Sequence, residues 1–182
     1  MKGRLVILSG PSGVGKDTVI DAWVRANPSV ERVVAATTRP PRPGERDGVD
    51  YRFLDRAAFE SLVARGALLE HKLVHGNWYG TPIETLDAGL AVGKTMILKI
   101  DVQGALSVMP LRPDAITIFL LPPNSEELER RLRARHSETA GQVAERLTNA
   151  REEIAQAPRY QHQVVNSDVE DTVRQLEALV HG

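Results

Sequence analysis

Arg4-Leu5-Val6-Ile7-Leu8-Ser9-Gly10-Pro11-Ser12-Gly13-Val14-Gly15-Lys16-Asp17-Thr18 is the stretch from which the fold can be read. Arg4 to Ser9 is a short apolar run ending in glycine, as a strand buried on both faces reads. From Asp17 to Ala26 the apolar residues Val19, Ile20, Trp23 and Val24 fall at helical spacing, and Pro28 stops them. Between the two, Gly10 to Lys16 stands in the context that a phosphate-cradling loop requires. Its glycines let successive backbone N–H groups face a polyphosphate, the helix N-terminus adds its positive end, and Lys16 reaches the β/γ oxygens. A glycine-rich turn that merely precedes a helix is the bland alternative, and the match along the whole loop weighs against it. Asp17 stands where the pattern asks for a hydroxyl on Mg²⁺, and Thr18, one later, faces another direction. Asp17 either ligates Mg²⁺ through its carboxylate, repels the phosphates unless a metal intervenes, or leaves that position to water.

Working outward, Thr95 to Ile100 and Ala115 to Leu121 read as further buried strands, and Gln163 to Asn166 as a weaker one. Helix starts are signalled at Thr81-Pro82-Ile83-Glu84, Asn124-Ser125-Glu126-Glu127 and Asp168-Val169-Glu170-Asp171. Strands alternating with helices predict an α/β fold with a parallel sheet core flanked by helices. Two stretches break the rhythm. Thr37 to Gly80 begins rich in Pro, Gly and charge, then alternates like antiparallel strands around a helix at Ala57 to Arg65. Ser125 to Ala157 is helical and arginine-rich without a clear apolar stripe at its centre.

Composition narrows the function classes. The 182 residues are 42% hydrophobic, enough for one substantial core, and no apolar run approaches a membrane span. With 23 Lys plus Arg against 24 Asp plus Glu, a broad basic surface for nucleic acid is not expected. Zero cysteines exclude disulfides, thiolate metal sites and cysteine nucleophiles. His71, His75, His136, His162 and His181 show no metal spacing. A strand-like run follows Met1-Lys2-Gly3 with no signal-peptide region, so a cytoplasmic protein with neither membrane nor nucleic-acid partner is expected, as a monomer or homodimer.

A second anion site is written at Thr37-Thr38-Arg39-Pro40-Pro41-Arg42-Pro43-Gly44-Glu45. Two arginines three apart, held by prolines, make a pair of forks suited to one phosphate, and Glu45 can orient one of them. Tyr51, Glu70, Tyr79 and Thr81 supply two phenols, a carboxylate and a hydroxyl. A charged surface loop is the competing reading.

These motifs together resemble the guanylate kinase family. The resemblance runs almost end to end: Ser9 to Lys16, Thr37 to Glu45, Gly48-Val49-Asp50-Tyr51, Gly76-Asn77-Trp78-Tyr79-Gly80-Thr81, Ile100-Asp101-Val102-Gln103-Gly104-Ala105 and Leu121 to Leu128. It implies a P-loop NTPase-type sheet core (1–33, 85–124 and 158–182), a small mixed α/β GMP-binding insertion (34–84) and a helical lid (125–157). It implies transfer of the γ-phosphoryl of ATP to GMP or dGMP with Mg²⁺ as cofactor, in purine nucleotide metabolism. On that resemblance Gly10, Pro11, Ser12, Gly13, Val14, Gly15, Lys16, Asp17, Thr18 and Asn166 bind ATP. Arg39, Arg42, Tyr51 and Tyr79 hold the GMP phosphate, with Glu45 in support. Glu70 accepts from guanine N1–H and the exocyclic amine, Thr81 adds a contact to the base, and Asp101 acts on the Mg²⁺ hydration shell, with Asp17 as the other candidate metal ligand. Arg131, Arg135 and Arg146 close over the triphosphate and count with Lys16, Arg39 and Arg42 as catalytic. Glu126/Arg130, Glu127/Arg131 and Glu129/Arg133 are also i,i+4 pairs, which ordinarily mark a solvated helix face.

Three positions depart from the family pattern. Asp17 replaces a hydroxyl, Ala35-Ala36 stands where serines precede T-T-R, and Lys99 replaces an acid facing the base. Lys99 either pairs with Glu70 and occupies the base-reading carboxylate, or donates to guanine O6. The Gly15-Lys16-Asp17 run is also similar to the phosphate loop of ribose 1,5-bisphosphate kinases. Two rival readings therefore stand beside the first: a kinase of this fold with another phosphorylated acceptor, and a binding module that has lost catalysis.

Overall fold

Both faces of the first strand are buried, and that fact organises the molecule. In the computed structural model, which describes residues 2–74, 76–134 and 140–182, β1 (Arg4–Ser9) sits mid-sheet with Leu5, Val6, Ile7 and Leu8 all almost wholly inaccessible. Its neighbours are β7 (Thr95–Lys99) and β8 (Ile116–Leu121), with β2 (Val30–Arg32) and β9 (His162–Val165) outside them, all parallel in the order β2-β7-β1-β8-β9. Side chains alternate between the two faces. Val6, Leu8, Ile97, Ile118 and Leu120 pack with Val19, Ile20 and Trp23 of α1 (Lys16–Ala26) and Val173, Leu176 and Val180 of α7 (Val169–His181). Leu5, Ile7, Leu98 and Phe119 turn the other way, onto Leu86 of α3 (Ile83–Ala91) and Val102, Ala105 and Val108 of α4 (Val102–Val108). The expected strands and flanking helices are present. The short edge strand β2 carries too few residues to show a period and was not expected.

A second sheet stands off the first. Its order is β4-β3-β6-β5, from β3 (Ala36–Thr37), β4 (Arg52–Phe53), β5 (Leu68–Val74) and β6 (Asn77–Pro82). β6 runs antiparallel to both β3 and β5, while β3 and β4 are parallel. Across it lies α2 (Arg56–Ala64), capped by the Asp55 carboxylate on Ala58 N–H. Thr81 does not cap α3 as the sequence predicted. Pro82 holds the N-cap position, and the Thr81 hydroxyl is fully buried and donates to Glu70 Oε1 at 2.7 Å.

The remaining pair, α5 (Ser125–Arg133) and α6 (Ala140–Ile154), does carry an apolar stripe. Leu128 and Leu132 meet Leu147, Ala150 and Ile154 in a small core of their own. The Asn124 side chain caps α5 on Glu127 N–H, and Asp168 caps α7 on Asp171 N–H. No helix among the described residues is long and apolar enough to cross a membrane.

Candidate active site

The loop from Gly10 to Gly15 leaves β1 and enters α1 with Gly10, Gly13 and Gly15 at φ of 153°, 85° and 98°. Gly15 takes the N-cap of α1 in the left-handed region, which a side chain would strain. A Cβ on Gly10 would also stand 2.5 Å from the Leu120 carbonyl oxygen. The loop is braced from outside. The Val14 carbonyl accepts Asn166 Nδ2 at 2.8 Å and Arg131 Nη1 at 3.0 Å, while Arg131 Nη2 reaches the Asn166 carbonyl at 3.2 Å. Arg131 Nε is held in turn by Glu127 Oε1 at 2.7 Å. Arg146 of α6 donates to Ser12 Oγ at 2.6 Å, and Lys16 Nζ folds onto the Gly10 and Pro11 carbonyls. Arg130 and Arg133 make intrahelical pairs, Arg130 with Glu127 rather than Glu126. Hydrogen bonds from Arg130 and Arg131 hold the Glu127 carboxyl down to about 2. Arg135 lies outside the described residues.

Two cavities meet here. One, of about 350 Å³, is bounded by Gly10, Ser12, Lys16, Thr18, Asp101 and Glu153. The other, of about 380 Å³, is bounded by Arg39, Arg42, Tyr51, Glu70, Tyr79 and Thr81. Lys99, Ile100 and Asp101, at the carboxyl end of β7, line both. That is where a parallel α/β sheet usually places its ligands.

The second cavity has the donors of an anion site. Glu45 grips Arg39 bidentately, at 2.8 and 3.0 Å, and accepts the Arg42 N–H at 2.7 Å, so one carboxylate sets both arginines. Arg39 also lies over the Tyr51 ring, 5.4 Å from its centroid, and Tyr51 meets Tyr79 edge-on at 6.0 Å. Burial pushes the Tyr51 hydroxyl up, so it stays a proton donor. Burial also raises the Glu70 carboxyl, against the opposing effect of the Thr81 hydrogen bond.

Several placements were not legible in the sequence. Lys99 Nζ does not meet Glu70; it donates to Asp17 Oδ1 at 2.6 Å, and Arg32 Nη1 reaches the same oxygen at 3.1 Å. Asp101 caps α4 on Gly104 N–H at 2.9 Å with Oδ1 and pairs with Lys72 through Oδ2. Lys72 had a sequence signal: it alternates with Glu70 and Val74 along β5, and all three line the second cavity. Arg32 had none, because β2 went unseen. Glu153 faces the first cavity from α6, and only the docking of that helix shows it.

Among the described residues no group of three or more His, Asp or Glu could hold a metal. Mg²⁺ does not require one. It keeps several waters and takes one or two carboxylates together with substrate phosphates, and Asp101, Glu153 and Ser12 along the loop cavity fit that demand.

Comparison with known proteins bears on the family. The guanylate kinase family model matches residues 2–182. A guanylate kinase of Gloeobacter violaceus is 49% identical over 177 residues, spanning 97% of this chain and 86% of the relative. The crystal structure of guanylate kinase from Anaplasma phagocytophilum aligns with a TM-score of 0.77 at 35% identity, covering 98% of this chain and 84% of that one. A shikimate kinase from Bacteroides thetaiotaomicron, 17% identical with a TM-score of 0.52 and 97% of each chain covered, shares the fold alone.

Proposed function

The chain belongs to the guanylate kinase family, and on that premise we propose how its two cavities divide the reaction. The protein is an ATP:GMP phosphotransferase: it moves the γ-phosphoryl of ATP to GMP, giving ADP and GDP. The observation that carries the division is the wall Lys99-Ile100-Asp101, common to a phosphate-loop cavity and an arginine-lined one. Two phosphate chains seated on its two sides come face to face.

ATP takes the loop cavity. Backbone N–H groups of Gly13, Gly15 and Lys16 hold its phosphates with the α1 N-terminus, and Thr18 also lines the cavity. Lys16 and Arg146 offset charge on the transferring group, and Arg131 braces the loop from behind. Asn166, behind the loop, borders the nucleoside. GMP takes the other cavity: Arg39 and Arg42 fork its phosphate with Tyr51 and Tyr79, and Glu45 fixes the fork. Glu70, held by Thr81, accepts from the two N–H donors of guanine, a pair that adenine cannot offer. Lys99 lies beside the acceptor phosphate. The 34–84 segment is thus the GMP-binding unit and 125–157 the lid. Asp101 and Glu153, on the loop cavity, would hold a Mg²⁺ through its waters, and the ion would supply charge neutralisation on the phosphates. Asp17, the other expected ligand, lines the same cavity and pairs with Lys99 and Arg32, as Asp101 pairs with Lys72.

The GMP phosphate is ionised near neutral pH, since a monoester's second pKa is about 6. The transfer therefore needs alignment and electrostatics rather than a general base. Helices α5 and α6, packed over the loop, exclude water from the site. A coupled ADP-release assay with ATP and Mg²⁺ against GMP, dGMP, AMP, IMP, CMP and UMP tests the assignment. GMP and dGMP are expected to turn over, and IMP, which lacks the 2-amino donor, is expected to raise KM. Equal turnover of AMP and GMP would remove Glu70 from base reading.

A further inference from the structure

We propose that Asp17, Arg32 and Lys99 form a cationic bridge that positions the acceptor's phosphate, so that Asp17, a residue of the donor loop, acts on the acceptor side. The proposal rests on the assignment of GMP to the arginine-lined cavity. Three elements converge to make the bridge. Arg32 ends β2 and Lys99 ends β7, neighbouring parallel strands in which Arg32 lies opposite Ile97. Ile97 packs on the α1 face of the sheet. Lys99, two residues on, turns to the same face by strand alternation. The first turn of α1 lies above them and presents Asp17. Its Oδ1 accepts both cations, at 2.6 Å from Lys99 and 3.1 Å from Arg32.

The carboxylate is what allows the two cations to stand together. Burial and the neighbouring Arg32 charge both depress the Lys99 ammonium, and Asp17 counters them. Burial would raise the Asp17 carboxyl, yet the combined pull of Lys99, Arg32 and Lys16 leaves it below the usual range. The α1 N-terminus favours an anion at this position as well. Two cations on one carboxylate leave a net positive charge. Lys99, with its side chain only 21% exposed, presents that charge on the wall shared by the cavities. Lys99 shares the lining of the second cavity with Arg39, Arg42 and Tyr51, which puts the cationic end of the bridge on the same cavity as the arginine fork. The donor side already has Lys16, Arg146 and the loop N–H groups. Asp17 and Lys99 both line the loop cavity, and Lys99 alone of the three also lines the arginine-lined one, so the bridge meets the acceptor phosphate through Lys99.

Calorimetric titration of the chain with GMP, without ATP or Mg²⁺, separates the acceptor role from any metal role. Loss of a charge-assisted contact corresponds to about tenfold in affinity. Asp17→Asn is therefore expected to weaken GMP binding about tenfold while the KM for ATP moves less than about twofold. Lys99→Met is expected to do the same, Lys99→Arg to retain most of the affinity, and Asp17→Asn/Lys99→Met to be no worse than Lys99→Met alone, as a shared element requires. Asp17 is 60% exposed, and Asp17→Ser provides a second, smaller variant to guard against misfolding. GMP affinity within twofold of wild type in both Asp17 variants, with a raised ATP KM or Mg²⁺ requirement, would return Asp17 to the donor side and overturn the proposal. A wild-type chain that binds ATP but no GMP would instead refute the acceptor assignment beneath it.

Discussion

Asn166 offers the sharpest test of how the phosphate loop is held. The residue is 3% exposed; its Nδ2 donates to the Val14 carbonyl at 2.8 Å and its Oδ1 accepts the Thr172 hydroxyl at 3.0 Å. Asn166→Ala removes both bonds. Neither partner is left bare, because Val14 keeps Arg131 and Thr172 keeps the Asp168 carbonyl at 2.6 Å. The cost is then the net worth of two hydrogen bonds, about 0.5–1.5 kcal/mol each, without a full desolvation penalty. About 2 kcal/mol in a domain of this size lowers Tm by about 4–8 °C in a calorimetric scan. Asn166→Asp keeps the shape but removes the donor, setting a carboxylate oxygen against a carbonyl, and is expected to lower Tm at least as far. Because Val14 belongs to the loop, the KM for ATP rises in both variants while that for GMP holds. An Asn166→Asp chain as stable as wild type, or a GMP KM rising in step with that for ATP, would refute the bracing argument.

Two further expectations concern the loop's backbone and the base reader. Gly15→Ala places a Cβ 2.8 Å from Asn166 Nδ2 at a φ of 98°, so a lower Tm and a higher KM for ATP are expected, and unchanged thermal scans would contradict the close approach. Burial raises the Glu70 carboxyl, so it takes up a proton at a higher pH than a solvent-exposed glutamate near 4.3. The GMP KM should therefore climb on acidification from above that value, and Glu70→Gln should bind GMP weakly with no such climb. The linked stability has the opposite sense: a raised carboxyl favours the fold at low pH and loses that contribution as pH rises through its folded value. Glu70→Gln, which keeps an acceptor for Thr81, is thus expected to hold its Tm at neutral pH.

Local patterns carried most of the architecture. Continuous apolar runs identified β1, β7 and β8, strands buried on both faces, and capping residues marked α5 and α7. These signals are legible because strand and helix geometry impose them on adjacent residues. At Thr81 the same logic failed. Its sequence context fits a capping box, but the tertiary fold brings Glu70 to its hydroxyl from the neighbouring strand. The stripe of α5 and α6 was missed because arginines crowd the same turns and hide Leu128, Leu132, Leu147 and Ile154.

From the sequence alone came the phosphate loop, the arginine pair with its acid, and the family they resemble, since each motif is contiguous and its chemistry local. The sequence also showed that Asp17 and Lys99 were out of pattern, but it treated them as separate anomalies. Only the folded chain joins them. They are 82 positions apart, and the parallel pairing of β2, β7 and β1 beneath α1 brings Asp17, Arg32 and Lys99 onto one carboxylate oxygen. Partners chosen by sheet order leave no trace in spacing along the chain, which is why Asp17 and Lys99 read as separate substitutions in the sequence and, with Arg32, as one device in the structure.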